Sequence, residues 1–171
     1  MSDGNPPEFS RLVPLARVGS VPLRQEIAAD AGERVALARR FGLLSLDRLH
    51  AAVELVRREN GLILLEGEIG AAFVQECVVT LDPLPGSLAE RFTLLFGPPE
   101  AEAAAGGAAG DAAFEPLAGD RIDIGEAVAQ ELSLRLPAFP RVPDAPAETA
   151  APAPGSTPFA ALARLLPGER G

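Results

Sequence analysis

The pair Asn60–Gly61 constrains the fold of this chain more than any other feature, because alternating apolar residues flank it on both sides. Asn-Gly is the favoured sequence of a two-residue type I′ turn, which joins two antiparallel strands. Residues 46–57 alone would fit a helix as well as a strand. The turn decides between them, and it predicts a hairpin made of residues 47–58 and 62–69.

Further extended segments surround this hairpin. Residues 71–81 continue it as a long apolar strand, with a bend or bulge expected at Gly70. Pro83 and Pro85 mark the next turn, and residues 87–96 form the following strand. Two more extended candidates come earlier in the chain, at residues 9–15 and 21–27. Together these segments predict a curved antiparallel β-meander of about five or six strands, which could close toward a barrel.

An Asp-x-x-Glu sequence occurs twice where an apolar-periodic segment begins. Asp at the N-cap with Glu at the third helical position is a capping box, which satisfies backbone N–H groups of the first turn. Asp30 and Glu33 therefore predict a helix over residues 31–41, and Asp123 and Glu126 predict a second helix.

The ends of these helices are also marked in the sequence. Gly42 suits the C-terminal stop of the first helix. Arg135 lies in the last turn of the second helix, which Pro137 ends. A third short helix is expected at residues 158–166, with its apolar side chains on one side: Phe159, Leu162, Ala163 and Leu166. The chain is thus predicted to be an α+β protein with two or three helices packed on the sheet.

Composition divides the chain into one domain and several low-complexity parts. At 171 residues a single domain is expected, and we place it at residues 9–142, after a flexible tail of residues 1–8. Within this domain, residues 98–113 are rich in Ala, Gly and acids and predict a mobile loop. Residues 143–157 form a Pro/Ala-rich linker before the helix at residues 158–166.

Charge is distributed unevenly along the chain. All fifteen basic residues are arginine. Residues 1–58 carry a balance of +2 and residues 59–171 a balance of −11, within a net charge of −9. Bulk negative charge opposes nonspecific binding to nucleic acid phosphates. If the protein contacts RNA, the arginine-bearing first part is the expected face, and if it contacts a basic protein, the acidic part is.

Candidate catalytic groups are few. Cys77 and His50 could form a nucleophile–base dyad, but the apolar strand around Cys77 favours a packed thiol. Glu66 and Glu68 share one face of a strand, and we interpret them as a solvated face. One cysteine excludes an intramolecular disulfide. We therefore expect a non-enzymatic protein without cofactor, metal or small-molecule substrate.

No targeting or membrane-spanning segment is recognisable in the sequence. The first residues lack the basic and apolar regions of a secretory signal. No apolar run is long enough to span a bilayer. These patterns predict a cytoplasmic protein that does not bind membranes.

Two kinds of surface are candidates for binding a macromolecule. The doubled arginines suit phosphate recognition, yet acidic neighbours and the absence of Tyr and Trp leave a solvated surface as the alternative to RNA contact. The acidic face of the second helix is either a partner surface or the exposed side of a structural helix. The candidate residues are Asp123, Glu126, Gln130, Arg135, Arg39, Arg40, Arg57 and Arg58.

Three segments, in order, resemble the YceD family of large ribosomal RNA subunit accumulation proteins, and most of all its alphaproteobacterial branch. They are residues 76–83 (ECVVTLDP), 115–141 (EPLAGDRIDIGEAVAQELSLRLPAFPR) and 158–165 (PFAALARL). The resemblance implies a cytoplasmic, non-enzymatic ribosome-biogenesis factor that supports accumulation of 23S ribosomal RNA and large-subunit assembly. The implied partner is a ribosomal RNA precursor or a large-subunit ribosomal protein.

One departure from the family pattern concerns metal binding. Many relatives carry C-x-x-C at the strand and another cysteine after the proline-bounded helix, whereas this chain has Thr80 and Arg141 at those places. A tetrahedral zinc site needs four good ligands. With one Cys and one His, the chain is expected to hold no structural zinc, and hydrophobic packing around Cys77 is expected in its place.

The acidic residues also allow an alternative function. The acidic balance after residue 58 and the capped acidic helix would also suit a protein-binding adaptor that holds a basic client and has no role in ribosomal RNA.

Overall fold

The computed structural model describes residues 7–101, 112–117 and 119–143. Seven strands and two α-helices lie in these ranges, together with two short 3-10 turns at Leu15–Arg17 and Pro99–Ala101. In chain order the elements are β1 (Leu12–Pro14), β2 (Leu23–Ala28), α1 (Ala31–Phe41), β3 (Ser45–Arg57), β4 (Ile63–Glu76), β5 (Pro83–Gly97), β6 (Ala113–Pro116), β7 (Arg121–Asp123) and α2 (Ile124–Arg135).

The main sheet has five strands in the order β2-β3-β4-β5-β6. Its first four strands form an antiparallel meander, and β6 adds to β5 in parallel. Among the described strands, β2 and β6 each pair on one side only, so the sheet is open and is not the closed barrel that the sequence analysis allowed. β1 and β7 form a separate two-stranded antiparallel sheet. The predicted α+β class with an antiparallel meander is confirmed.

The central hairpin is present, but its turn differs from the prediction. The Gly61 N–H donates to the Arg58 carbonyl and the Arg58 N–H donates to the Leu62 carbonyl. The φ angle of Gly61 is 82°, whereas the φ angle of Asn60 is not positive. A type I′ turn needs positive φ at both central residues, so this is a three-residue loop with Gly61 in the left-handed bulge position.

The strand after the hairpin also differs from the prediction. β4 runs unbroken to Glu76, and its pairing passes through Gly70 without a register shift. The irregularity lies in β3 instead, between Leu46 and Arg48. The His50 ring lies over Gly70, where a Cβ would be 2.3 Å from it, so a larger residue here would displace the imidazole.

The prolines expected in the next turn lie within β5. Pro83 pairs with Glu76 and Pro85 with Val74. β6 covers only the last four residues of β5, so the proline-bearing part is an edge, where a missing N–H leaves no ladder bond broken. The turn itself is formed by residues 77–82.

Both predicted helices are confirmed at their expected positions. Asp30 and Glu33 form a complete capping box at the start of α1, and Gly42 ends it with φ 65°. α2 starts after Asp123, and Leu136 before Pro137 is extended. The third predicted helix, at residues 158–166, lies outside the described residues.

The main core lies on one face of the large sheet, between the strands and both helices. α1 packs against β3, and α2 packs against β4 and β1. Its largest fully buried side chains are apolar: Phe9, Leu37, Leu49, Leu55, Ile63, Leu65, Ile69, Ile124 and Leu132. A small second cluster of Leu62, Leu64 and Leu95 lies apart from it, with Phe114 of β6 packed against it.

Candidate macromolecule-binding surfaces

The N-terminus of α2 is a junction between distant parts of the chain. The Asp123 carboxylate accepts the Gly125 and Glu126 N–H groups at 3.0 and 3.2 Å. It also accepts the Ser10 hydroxyl at 2.5 Å and the Arg11 N–H at 2.7 Å. Asp123 is therefore a half-buried structural group whose oxygens are already engaged.

Glu126 does not complete a capping box, because its carboxylate faces α1 instead. Arg40 donates to both of its oxygens, at 2.9 and 2.7 Å, and also to Glu8 at 3.0 Å. The paired Glu126 raises the pKa of Arg40, so the guanidinium stays charged. The ion pair links α1 to α2, with the Arg40 side chain still 31% exposed.

The remaining candidates on α2 lie at its exposed side and its C-terminal end. Gln130 donates to Glu126 at 3.2 Å and is itself exposed. Arg135 forms an ion pair with Glu131 and donates to the Arg91 carbonyl of β5 at 3.2 Å. The acidic face of α2 is thus mostly engaged with other parts of the protein.

The two arginine pairs lie at opposite ends of β3, which spans about 40 Å at the rise of an extended strand. Arg57 donates to the Val18 and Leu15 carbonyls at 3.0 and 2.8 Å and so holds the chain between β1 and β2. Arg39 and Arg58 are exposed, and within the described ranges neither guanidinium forms a hydrogen bond or ion pair. The structure does not bring the four arginines into one patch.

The outer face of the large sheet is a second candidate surface, of which the sequence predicted only Glu66 and Glu68. Glu54 pairs with Glu66 across β3 and β4, and Glu68 lies two residues further along. Glu66 and Glu68 are both exposed, which confirms that they belong to a solvated face. Glu26 of β2 is also exposed, and the face forms an open groove of about 680 Å³.

Arginines neutralise part of this outer face. Arg24 donates to Glu54 at 2.7 Å, and Arg91 donates to Glu68 at 2.6 Å. Glu26 and Glu66 form no ion pair within the part of the chain that the structure describes. The strand alternation of residues 24–26, 52–54 and 66–68 is the signal that could have predicted the whole face.

The suggested pair of Cys77 and His50 is not brought together. His50 pairs with Gly70 on the outer face of the sheet. Cys77 follows the end of β4, about 20 Å further along the strand. A nucleophile and its base must lie within hydrogen-bond reach, so these two residues cannot act as a dyad in this arrangement.

Cys77 begins a loop instead of lying in a strand, and hydrogen bonds surround its thiol. The Thr80 side chain and backbone, together with the N–H groups of Val142 and Val79, lower the pKa of Cys77 to about 7. Val142 also ties the thiol to the segment after α2, with its N–H 3.5 Å from Sγ.

Cys77 is fully buried, as expected from the sequence, although it lies outside the two main apolar clusters and its thiol also has polar neighbours. The donor set also does not fit zinc, since His50 is remote. Within residues 7–101, 112–117 and 119–143, no group of three or more His, Cys, Asp and Glu side chains could hold a metal ion.

Comparison with known proteins identifies a family that this chain matches. The model of the family described as "Large ribosomal RNA subunit accumulation protein YceD" matches residues 65–166, which is more than half of the chain. No curated protein and no solved structure shows significant similarity to the chain. In the described part, no helix has the length and apolar character needed to cross a bilayer. The chain therefore belongs to the YceD family of large ribosomal RNA subunit accumulation proteins.

Proposed function

We propose that this protein is a non-enzymatic ribosome-biogenesis factor that acts in the cytoplasm and supports accumulation of 23S ribosomal RNA and large-subunit assembly. The family match over residues 65–166 carries this proposal, because the family description names ribosomal RNA accumulation and no reaction. The separation of Cys77 from His50 is consistent with a binding role.

Direct contact with a ribosomal RNA precursor would use the exposed arginines. Arg39 and Arg58 are the two candidates whose guanidinium groups remain available among the described residues. Arginine forks bind phosphate oxygens in a bidentate manner. Because these two residues lie at opposite ends of β3, each would contact a different part of an RNA.

Contact with a basic large-subunit ribosomal protein would use the outer face of the sheet. Glu26 and Glu66 are exposed carboxylates there without an arginine partner in the described ranges. Charge complementarity of this kind raises association rates and selects the partner. The same face supports the alternative function, an adaptor for a basic client unrelated to ribosomal RNA.

Crosslinking in living cells, followed by identification of both RNA and protein adducts, tests the proposal. We expect adducts with 23S ribosomal RNA precursors or with large-subunit ribosomal proteins. Arg39→Ala with Arg58→Ala should reduce RNA adducts, whereas Glu26→Gln with Glu66→Gln should reduce protein adducts. Recovery of a single non-ribosomal client would favour the adaptor and contradict the ribosomal role.

A further inference from the structure

The loop that follows β4 exposes large apolar side chains. Val78, Val79 and Leu81 are 46%, 37% and 65% exposed, and Phe139 beyond α2 is 79% exposed. The Val78 N–H donates to the Pro140 carbonyl at 2.9 Å, so the loop and the segment after α2 lie side by side. Clustered apolar side chains at a surface mark a place where something else packs.

A groove opens between this loop and the ends of both helices. Its volume is about 460 Å³. The Gln75 side chain donates to the Pro137 carbonyl at 3.0 Å and holds one wall against β4. The lining is mixed: polar groups of Gln75, Glu76 and Ser133 lie beside apolar side chains from three parts of the chain, which are Phe41, Val78, Leu136, Pro137, Ala138 and Pro140.

Leu81 is held in an unfavourable backbone conformation in the same loop. Its φ is 62°, and among the described residues it is the one non-glycine with positive φ. Its N–H donates to the Cys77 carbonyl at 2.9 Å, and the Cys77 N–H donates to the Asp82 carbonyl at 2.9 Å. Bulky residues seldom adopt the left-handed region, and Leu81 is 65% exposed, so the loop holds a large apolar side chain at the surface.

We propose that residues 158–166 of this same chain form a helix that docks in this groove, beside the exposed side chains of the loop. The described chain ends at Pro143, immediately after Val142 contacts Cys77. Residues 144–157 could span up to ~46 Å when extended. The segment therefore has ample reach to return to a groove that Pro140 itself lines.

The chemistry of the segment matches the groove. Phe159, Leu162, Ala163 and Leu166 would form one apolar side of a helix. Arg164 would stand near the rim, where Glu76 is exposed. A short tether gives an effective concentration in the millimolar range, so a modest apolar contact suffices for docking.

The extent of the family match agrees with this docking. It begins in β4 and ends at residue 166, so the family unit continues through the proline-rich linker to the last apolar residue of the segment. A segment that packs on the domain explains why the unit reaches that far. This docking does not depend on the ribosomal role.

Hydrogen exchange of the full-length protein tests the proposal through the backbone amides of Val78 and Leu81. Leu162→Asp should release the segment, and Val78→Asp should disrupt the groove. We expect Leu162→Asp to accelerate exchange of both amides about tenfold, because docking protects the loop from opening. Val78→Asp should accelerate exchange of the Leu81 amide and of the amides in residues 159–166.

Matched controls introduce the same charge elsewhere. Ala161→Asp lies opposite the apolar side of the predicted helix, and Val21→Asp replaces a residue that is 77% exposed in another part of the protein. In both control variants, the Val78 and Leu81 amides should exchange at the same rate as in the unchanged protein. Equal exchange rates of the Val78 and Leu81 amides in Leu162→Asp and Ala161→Asp would overturn the proposal. Protection of the loop that rises with protein concentration would also overturn it, because a second copy of the chain would then fill the groove.

Discussion

A single carboxylate, Asp123, joins the start of α2 to the segment before β1. It receives N–H groups from the first turn of α2 and also groups from Ser10 and Arg11, which precede β1. The close contact is visible at Gly125 as well, where a Cβ would lie 2.5 Å from the Phe9 carbonyl oxygen. At the residue scale, the fold therefore depends on groups that the helix signature alone does not reveal.

Asp123→Ala should lower the free energy of unfolding by about 2–3 kcal/mol, more than the ~1 kcal/mol of an ordinary cap, because two further hydrogen bonds are lost. Urea denaturation followed by circular dichroism measures this change. Asp120→Ala is the control, since the Asp120 side chain is 89% exposed. A loss no larger than that of Asp120→Ala would mean that the junction adds nothing to stability.

Stability should rise with pH between about 7 and 9. The folded-state pKa of Cys77 is about 7, below its ordinary value of 9.0, so the thiolate stabilises the fold. This stabilisation is complete above pH 9 and is lost as pH falls through 7.

Denaturation series at pH 7, 8 and 9 measure this effect, with Cys77→Ser as the matched variant. The unchanged protein should become more stable across the series, whereas Cys77→Ser should stay level. An identical pH profile for both proteins would show that the hydrogen bonds from Thr80 and Val142 do not favour the thiolate.

At the scale of elements, local signals predicted some boundaries fully and others only in part. α1 has the predicted bounds because its capping box and its left-handed Gly42 are both local. The predicted type of the hairpin turn was wrong, because Asn-Gly also fits a three-residue bulged loop. β4 ends one residue before Cys77, and the hydrogen bonds of the Cys77 thiol to residues 80 and 142 are contacts that no sequence pattern expresses.

β6 is one of two strands that the sequence analysis did not predict, the other being β7. β6 has only four residues and lies next to a low-complexity segment. Because it pairs with β5 in parallel, no tight turn joins the two strands, and the sequence has no turn signal that would predict β6. For the candidate site, the exposure of Arg39 and Arg58 followed from the sequence. The hydrogen bonds and ion pairs of Arg40, Arg57 and Glu126 could not be predicted, because their partners are distant in sequence.

Phe114→Ala tests whether β6 belongs to the fold. Phe114 is half-buried against Leu62, Leu64 and Leu95, so its truncation should cost about 1–2 kcal/mol of unfolding free energy. Thermal and urea denaturation measure the loss. Ala113→Ser, at an exposed neighbour in the same strand, should change stability little. Equal stability of the two variants would contradict packing of β6 on the second cluster.

At the scale of the whole molecule, charge is separated between surfaces. The available arginines lie at the two ends of β3, whereas carboxylates lie across the outer face of the sheet. Separate arginines at the ends of β3 and carboxylates on the outer face would let one protein contact RNA and a basic ribosomal protein at the same time. The proposed role in large-subunit assembly would use both.

The ratio of 23S to 16S ribosomal RNA in cells that lack the gene tests whether this protein supports 23S ribosomal RNA accumulation. We predict a reduced ratio and fewer 50S particles, restored by the unchanged gene and by Cys77→Ala, because the proposed role needs no thiol chemistry. An unchanged ratio with normal 50S particles would contradict the account.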